Sequence, residues 1–293
     1  MNCVCASGSA PSPAQSSAGS PGLREQRHAE NFPVALRVLP RRHRRGLIAI
    51  YDVARTIDDL GDEADGDRPA RLAEFGRDLA SIWDGRRPAH PVLRRLAPTV
   101  ARHDLSPAPF QDLIRANQVD QRVHRYADYA ALRGYCALSA HPVGRLVLAV
   151  FDASTPDREE LSDRVCAALQ LVEHWQDVGE DRAAGRVYLP AEDMAAFEVT
   201  EADLDAPAAS PPLRRLMAFQ TDRAAELLAS GAPLVGELRG WARLAVAGYV
   251  AGGMAAVDAL RRVDGDVLGR VARTRRRDVA RHLPGLMAGG GTR

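Results

Sequence analysis

Apolar residues recur at helical spacing in six stretches, 47–60, 72–83, 109–123, 161–178, 213–228 and 238–260. Strand-like alternation between turn signals is scarce. Clusters of Gly and Pro at 65–69, 85–91, 210–212 and 231–233 mark the joints. Residues 1–22 are rich in Ser, Ala, Pro and Gly and are expected to be a disordered tail, because they offer little apolar surface to bury. Residues 289–293 are expected to fray. Between them the pattern predicts an all-α fold: one domain over 23–288, a bundle of about ten helices with short connections. The length of 293 residues suits one large domain enclosing a central cavity.

Two of these helices carry polar residues where apolar ones belong. On the first, Tyr51, Arg55, Asp58 and Asp62 stand at i, i+4, i+7 and i+11. At 100° per residue they share an arc of roughly 60°, the face a helix normally turns to the core. On the second, Gln170, Glu173, Asp177 and Asp181 stand at i, i+3, i+7 and i+11, among Val165, Ala168, Leu169, Leu171, Val172 and Trp175. Like charges four apart weaken a helix, and burying an unpaired carboxylate costs far more. A divalent cation reverses both penalties. Mg²⁺ takes hard oxygen ligands, often one or two carboxylates completed by substrate phosphates and water. Two Asp-x-x-x-Asp pairs facing each other would hold a Mg²⁺–diphosphate cluster, with Arg55 in reach of the phosphate oxygens. A solvated acidic face is the bland alternative for either pair taken alone.

Composition narrows the field. A formal net charge of +1 argues against a general nucleic-acid binder. The 39 basic residues are all Arg, which excludes Schiff-base chemistry on a lysine. Cys3, Cys5, Cys136 and Cys166 lack zinc-ligand spacing and read as free thiols of a reducing cytoplasm. No unbroken run of ~18 apolar residues is present, so no membrane span is expected. No basic region followed by an apolar core opens the chain, so no secretory signal is expected either. No Gly-x-Gly-x-x-Gly follows a strand pattern, so a Rossmann nucleotide site has no support.

Ala54-Arg-Thr-Ile-Asp-Asp-Leu-Gly-Asp-Glu63, and the segment from Gln170 through Asp181 into Gly185-Arg-Val-Tyr-Leu-Pro190, resemble the two aspartate motifs of the squalene/phytoene synthase family. Tyr135-Cys136 followed by Val143-Gly144 is similar to its pocket-lining mid-chain helix. The resemblance runs from about residue 28 to 260. Glu30-Asn-Phe-Pro-Val-Ala35, Leu138-Ser-Ala-His-Pro-Val-Gly144 and Trp175-Gln-Asp177 are similar to the hydroxysqualene synthases of bacterial hopanoid pathways. Phytoene synthases usually have Arg where Gln176 stands and Gly-Ser in place of His141-Pro142.

The resemblance implies an isoprenoid-synthase bundle, Mg²⁺ as cofactor and an isoprenoid diphosphate as substrate. It implies Asp58, Asp62, Asp177 and Asp181 as metal ligands with Glu173 supporting them, and Tyr51 and Arg55 beside them in catalysis. Glu173 departs from the family's usual Asn and adds negative charge near the diphosphate. Substrate contacts are implied for His28, Asn31, Phe32, Tyr135, Gln170, Arg186 and Tyr188. Presqualene diphosphate, squalene and phytoene synthase activities are the alternatives, and an inactive partner subunit is the reading from another class. The expected partners include other enzymes of a hopanoid pathway.

Arg41-Arg-His-Arg-Arg45 and Arg273-Thr-Arg-Arg-Arg277 read as solvated helix entrances or as basic patches for an anionic membrane surface. Location at the cytoplasmic face of the membrane is compatible with either. His124, His141 and His174 read as packed or surface histidines, since nothing in sequence pairs with them.

Overall fold

The computed structural model describes residues 39–62 and 64–289. The first acidic stripe lies on α1 (Arg41–Asp62), which buries Leu47, Ile50, Val53 and Ile57 on one face. Asp67 caps α2 (Arg68–Ala80) by accepting from Ala70 N at 2.9 Å, with Pro69 in the first turn, where a missing N–H leaves nothing unpaired. α3 (Pro91–His103) and α4 (Ala108–Asp120) follow. Leu72, Leu93, Leu96 and Phe110 from these helices close one core with α1.

The chain continues through α5 (Tyr129–Ser139), α6 (His141–Val150) and α7 (Pro156–Gln176). Next come α8 (Val178–Ala183), α9 (Ala191–Ala196) and a 3₁₀ turn (Glu201–Asp205). α10 (Pro211–Gly231), α11 (Leu234–Glu237), α12 (Gly240–Arg262) and α13 (Arg276–Ala288) complete it. Among the described residues no strand forms, and one isolated parallel bridge joins Arg125 to Val187. All of them belong to one compact unit, residues 31–293.

α7, the helix of the second stripe, is the centre of the bundle. It packs against α5, α6, α10 and α12, and buries Ala167, Ala168, Leu171 and Trp175. Its N-terminus is fixed by the Thr155 cap and by Asp157 and Glu159 in the first turn, where negative charge meets the positive end of the helix dipole. Gly231 lets α10 approach it closely. A Cβ there would lie 2.8 Å from Leu161 O and 2.9 Å from Val165 N, both backbone atoms. Gly231→Ala is therefore expected to destabilise the fold by about 1–3 kcal/mol, the usual cost of overpacking. A thermal melt unchanged from wild type would contradict this.

Three expectations need correction. α12 is long and apolar enough to cross a membrane by length and composition, although no unbroken apolar run was expected. Small apolar residues raise its mean hydropathy despite the interruption at Arg243, and 61% of its apolar window is buried inside the bundle. Second, the acidic stripe 170–181 is not one continuous helix. α7 ends at Gln176, Asp177 (φ −106°, ψ 17°) forms the break, and α8 carries Asp181. Third, α3 and α13 fall outside the six periodic stretches. Each has a proline inside it, Pro98 and Pro284, which interrupts the helical signal in sequence. The expected tail 1–22, and His28, Asn31, Phe32, Cys3 and Cys5, lie outside the described residues.

Candidate active site

Five segments bring the site together. α1 supplies Tyr51, Arg55, Asp58 and Asp62. α4 faces it with Asn117, Asp120 and Gln121 close to its end. Asn117 Nδ2 donates to Asp58 Oδ1 at 3.0 Å, and Gln121 Nε2 to Gly61 O at 2.9 Å. α5 adds Tyr135, whose hydroxyl donates to Asp120 Oδ2 at 2.7 Å. α7 and α8 bring Gln170, Glu173, Asp177 and Asp181, and the loop after α8 brings Arg186 and Tyr188.

The decisive contact across the site is the ion pair of Arg186 with Asp62, which joins the loop after the second motif to the end of the first. Asp120 sits between the two walls. Its carboxyl is raised, chiefly by burial, and it feels Tyr135, Arg186, Asp62 and His174 at once.

An aromatic cluster lines the α5–α7 side. Tyr188 stacks on His174 with ring centroids 3.7 Å apart and on Tyr126 at 5.8 Å, and Tyr135 lies 5.8 Å from Tyr188. His174 is buried, with Gln170 Nε2 3.2 Å from its Nε2 and Asp181 3.7 Å from its Nδ1. Of the sequence candidates, Gln170 thus meets His174, Tyr135 and Tyr188 share a wall, and Arg55 pairs with Asp59 at 2.9 Å. Tyr51 is half-buried on α1, and Glu173 is exposed on α7. Gln176 faces elsewhere: its amide donates to Ala272 O at 2.5 Å. His141 does have a partner, Asp163 at 3.3 Å, which is also held by Arg145. His43, within the first basic cluster, is buried against Val150 O and Phe151. Cys136 and Cys166 are free thiols.

Asn117, Asp120 and Gln121 were not anticipated. The signal existed: polar residues at i, i+3 and i+4 on a helix whose other positions include Phe110, Leu113 and Ile114.

The carboxylates are poised for a cation. Asp58 is solvent-accessible as a residue, but its carboxyl is crowded by protein. The resulting desolvation pushes it up to about 6, against the hydrogen bond from Asn117 and the charge of Arg55. Asp177 is raised by desolvation and by its neighbours Glu180 and Asp181. Asp181 Oδ2 is occluded from solvent and makes no hydrogen bond. Among the described residues no three His, Cys, Asp or Glu side chains converge on one point. Paired oxygen donors on separate walls fit an ion whose coordination is completed by phosphate and water.

The Asp58 shift has a consequence for the metal-free protein. A carboxyl raised in the folded state is protonated in both states below its unfolded value of 3.8, and there it costs nothing. As pH climbs through about 6 the unfolded chain ionises freely and the folded one at a penalty, so stability falls. Asp58→Asn is expected to melt at higher temperature than wild type at pH 7 without metal, with the gain vanishing near pH 4. A gain that is absent at pH 7, or that persists at pH 4, would contradict this.

The family model for squalene/phytoene synthase matches residues 26–278. The chain belongs to the squalene/phytoene synthase family. It is 36% identical over 213 residues to a hydroxysqualene synthase of Rhodopseudomonas palustris, covering 72% of each chain. It is 32% identical over 200 residues to a presqualene diphosphate synthase of the same organism, covering 66% of this chain and 70% of the relative. The crystal structure of squalene synthase HpnC from Alicyclobacillus acidocaldarius superposes with a TM-score of 0.77 at 38% identity, over 83% of this chain and 93% of that one. The chain is thus an isoprenoid diphosphate-converting synthase with the all-α fold of that family, similar to its hydroxysqualene branch.

Proposed function

We propose that this enzyme converts presqualene diphosphate to hydroxysqualene in a Mg²⁺-dependent reaction. The observation that carries the reading is the union of both acidic motifs with a phosphate-type arginine, through the Arg186–Asp62 pair beside the Tyr126–Tyr135–Tyr188 cluster. The similarity to a protein named hydroxysqualene synthase supports the choice of branch.

Asp58, Asp62, Asp177 and Asp181 would hold Mg²⁺, with Glu173 supporting them. Bound there, Mg²⁺ supplies Lewis-acid neutralisation of the departing diphosphate. Arg186 and Arg55 orient the diphosphate oxygens, Arg186 through the planar fork that suits phosphate. The C–O bond to diphosphate breaks, and the cyclopropylcarbinyl cation rearranges beside Tyr135 and Tyr188, whose ring faces attract positive charge. Water adds to the allylic cation and loses a proton, giving the alcohol with no hydride donor. His28, Asn31, Phe32, Gln170 and Tyr51 complete the substrate contacts in this reading.

Presqualene diphosphate must then come from a separate synthase, so the working partners are other enzymes of the same route. Arg41, Arg42, Arg45, Arg273, Arg275, Arg276 and Arg277 are exposed, which supports a peripheral contact with the anionic cytoplasmic face of the membrane.

The test offers purified protein presqualene, farnesyl and geranylgeranyl diphosphates separately, with Mg²⁺ and with or without NADPH. Hydroxysqualene from the first alone is the expected product. Presqualene diphosphate made from farnesyl diphosphate would assign the alternative activity, and phytoene from geranylgeranyl diphosphate would remove the branch.

A further inference from the structure

The second acidic pair straddles an element that cannot hold itself in place. α8 has six residues, too few for a helix to be stable alone, and it joins α7 at the break of Asp177. A chain of ion pairs secures it. Arg182, next to Asp181, donates to both carboxylate oxygens of Asp205 at 2.7 and 2.9 Å, and also to Glu201. Glu201 accepts two further bonds from Arg125. Arg125 reaches on to Gly185 O at 2.7 Å, while Val187 N donates to His124 O at 2.9 Å. Acid and base alternate along Asp205–Arg182–Glu201–Arg125, so every neighbour is attractive. The run ties together the 3₁₀ turn, α8, the segment before α5 and the loop that carries Arg186 and Tyr188. Hydrogen bonds from their arginines hold Glu201 and Asp205 below the usual carboxylate range.

These groups are partly exposed, and pairs of that kind add little to global stability. Their effect is on placement. Arg182 directly follows Asp181, and Arg125 grips the backbone one residue before Arg186, so loosening either shifts both groups relative to Asp62.

We propose that the Asp205–Arg182–Glu201–Arg125 chain is a positioning device for the metal–diphosphate site, setting Asp181 and Arg186 against the first acidic motif. It rests on the reading that the acidic pairs hold a divalent metal with diphosphate. Partners standing behind metal ligands typically govern affinity by 10–100-fold when removed.

The test is electron paramagnetic resonance titration of the whole chain with Mn²⁺ and inorganic pyrophosphate. Arg182→Ala and Glu201→Gln are each expected to weaken Mn²⁺–pyrophosphate binding about tenfold or more at unchanged helix content, and Arg182→Lys, which keeps the charge, to recover most of it. Wild-type affinity in Arg182→Ala and Glu201→Gln would overturn the proposal, as would weakening that tracks loss of helix content in both. In either case wild-type binding stands, and the metal reading with it. If wild type binds Mn²⁺–pyrophosphate no better than Asp177→Asn, the metal reading fails and the positioning role goes with it.

Discussion

Asp58→Asn and Asp177→Asn are each expected to lower turnover by about 10³-fold or more while leaving helix content unchanged. Losing a single preorganised electrostatic contact already costs about 10²–10³ in turnover, and these changes remove a charged oxygen from the groups proposed to neutralise the leaving diphosphate. The fold has no stake in either charge. Asp58 is raised by desolvation, so its ionised form is a burden on the empty site, and Asp177 is raised partly by repulsion from Glu180 and Asp181. Asn can still accept the bond from Asn117 Nδ2. An enzyme that loses turnover yet gains thermal stability at pH 7 on Asp58→Asn would display both sides of that trade. Turnover within tenfold of wild type in both variants would remove the metal model.

Arg186→Ala is expected to lower kcat/KM by about 10–100-fold, the loss of about 1.5–3 kcal/mol from a charge-assisted bond. Arg186 is half-buried, and its pair with Asp62 joins the two walls of the site. Its removal costs a phosphate contact and leaves Asp62 without that counter-charge. Arg186→Lys keeps the charge but loses the fork, and should fall between alanine and wild type. Steady-state kinetics with varied substrate checks this. A loss confined to melting temperature, at wild-type kcat/KM, would mean that the arginine serves only the fold.

The sequence exposed what periodicity can carry. Asp58 with Asp62, and Asp177 with Asp181, are neighbours on helical turns, so their spacing alone marks them as a misplaced polar stripe. The six apolar stretches each lie within or across one of the long helices for the same reason. Asn117, Asp120 and Gln121 bore the same signal and were passed over because Phe110, Leu113 and Ile114 dominate their helix. The pairings that assemble the site are of another kind. Arg186 meets Asp62 across 124 residues, and His141 meets Asp163 from a different helix. Such contacts follow from how helices pack, which local spacing does not encode. The same holds for Glu201 and Asp205, which read in sequence as ordinary solvated charges and acquire a role only because Arg182 and Arg125 lie beside them. The break at Asp177 escaped because hydrogen bonds of helical type run through it, Asp177 N to Glu173 O and Asp181 N to Asp177 O.

Water capture distinguishes this reaction from every alternative in the family, so the most direct test follows the oxygen. Purified protein, presqualene diphosphate and Mg²⁺ are incubated in H₂¹⁸O without NADPH, and the product is read by mass spectrometry. The account predicts hydroxysqualene carrying ¹⁸O in its hydroxyl, formed at the same rate when NADPH is added. An unlabelled product, or squalene that forms only when NADPH is present, would contradict it.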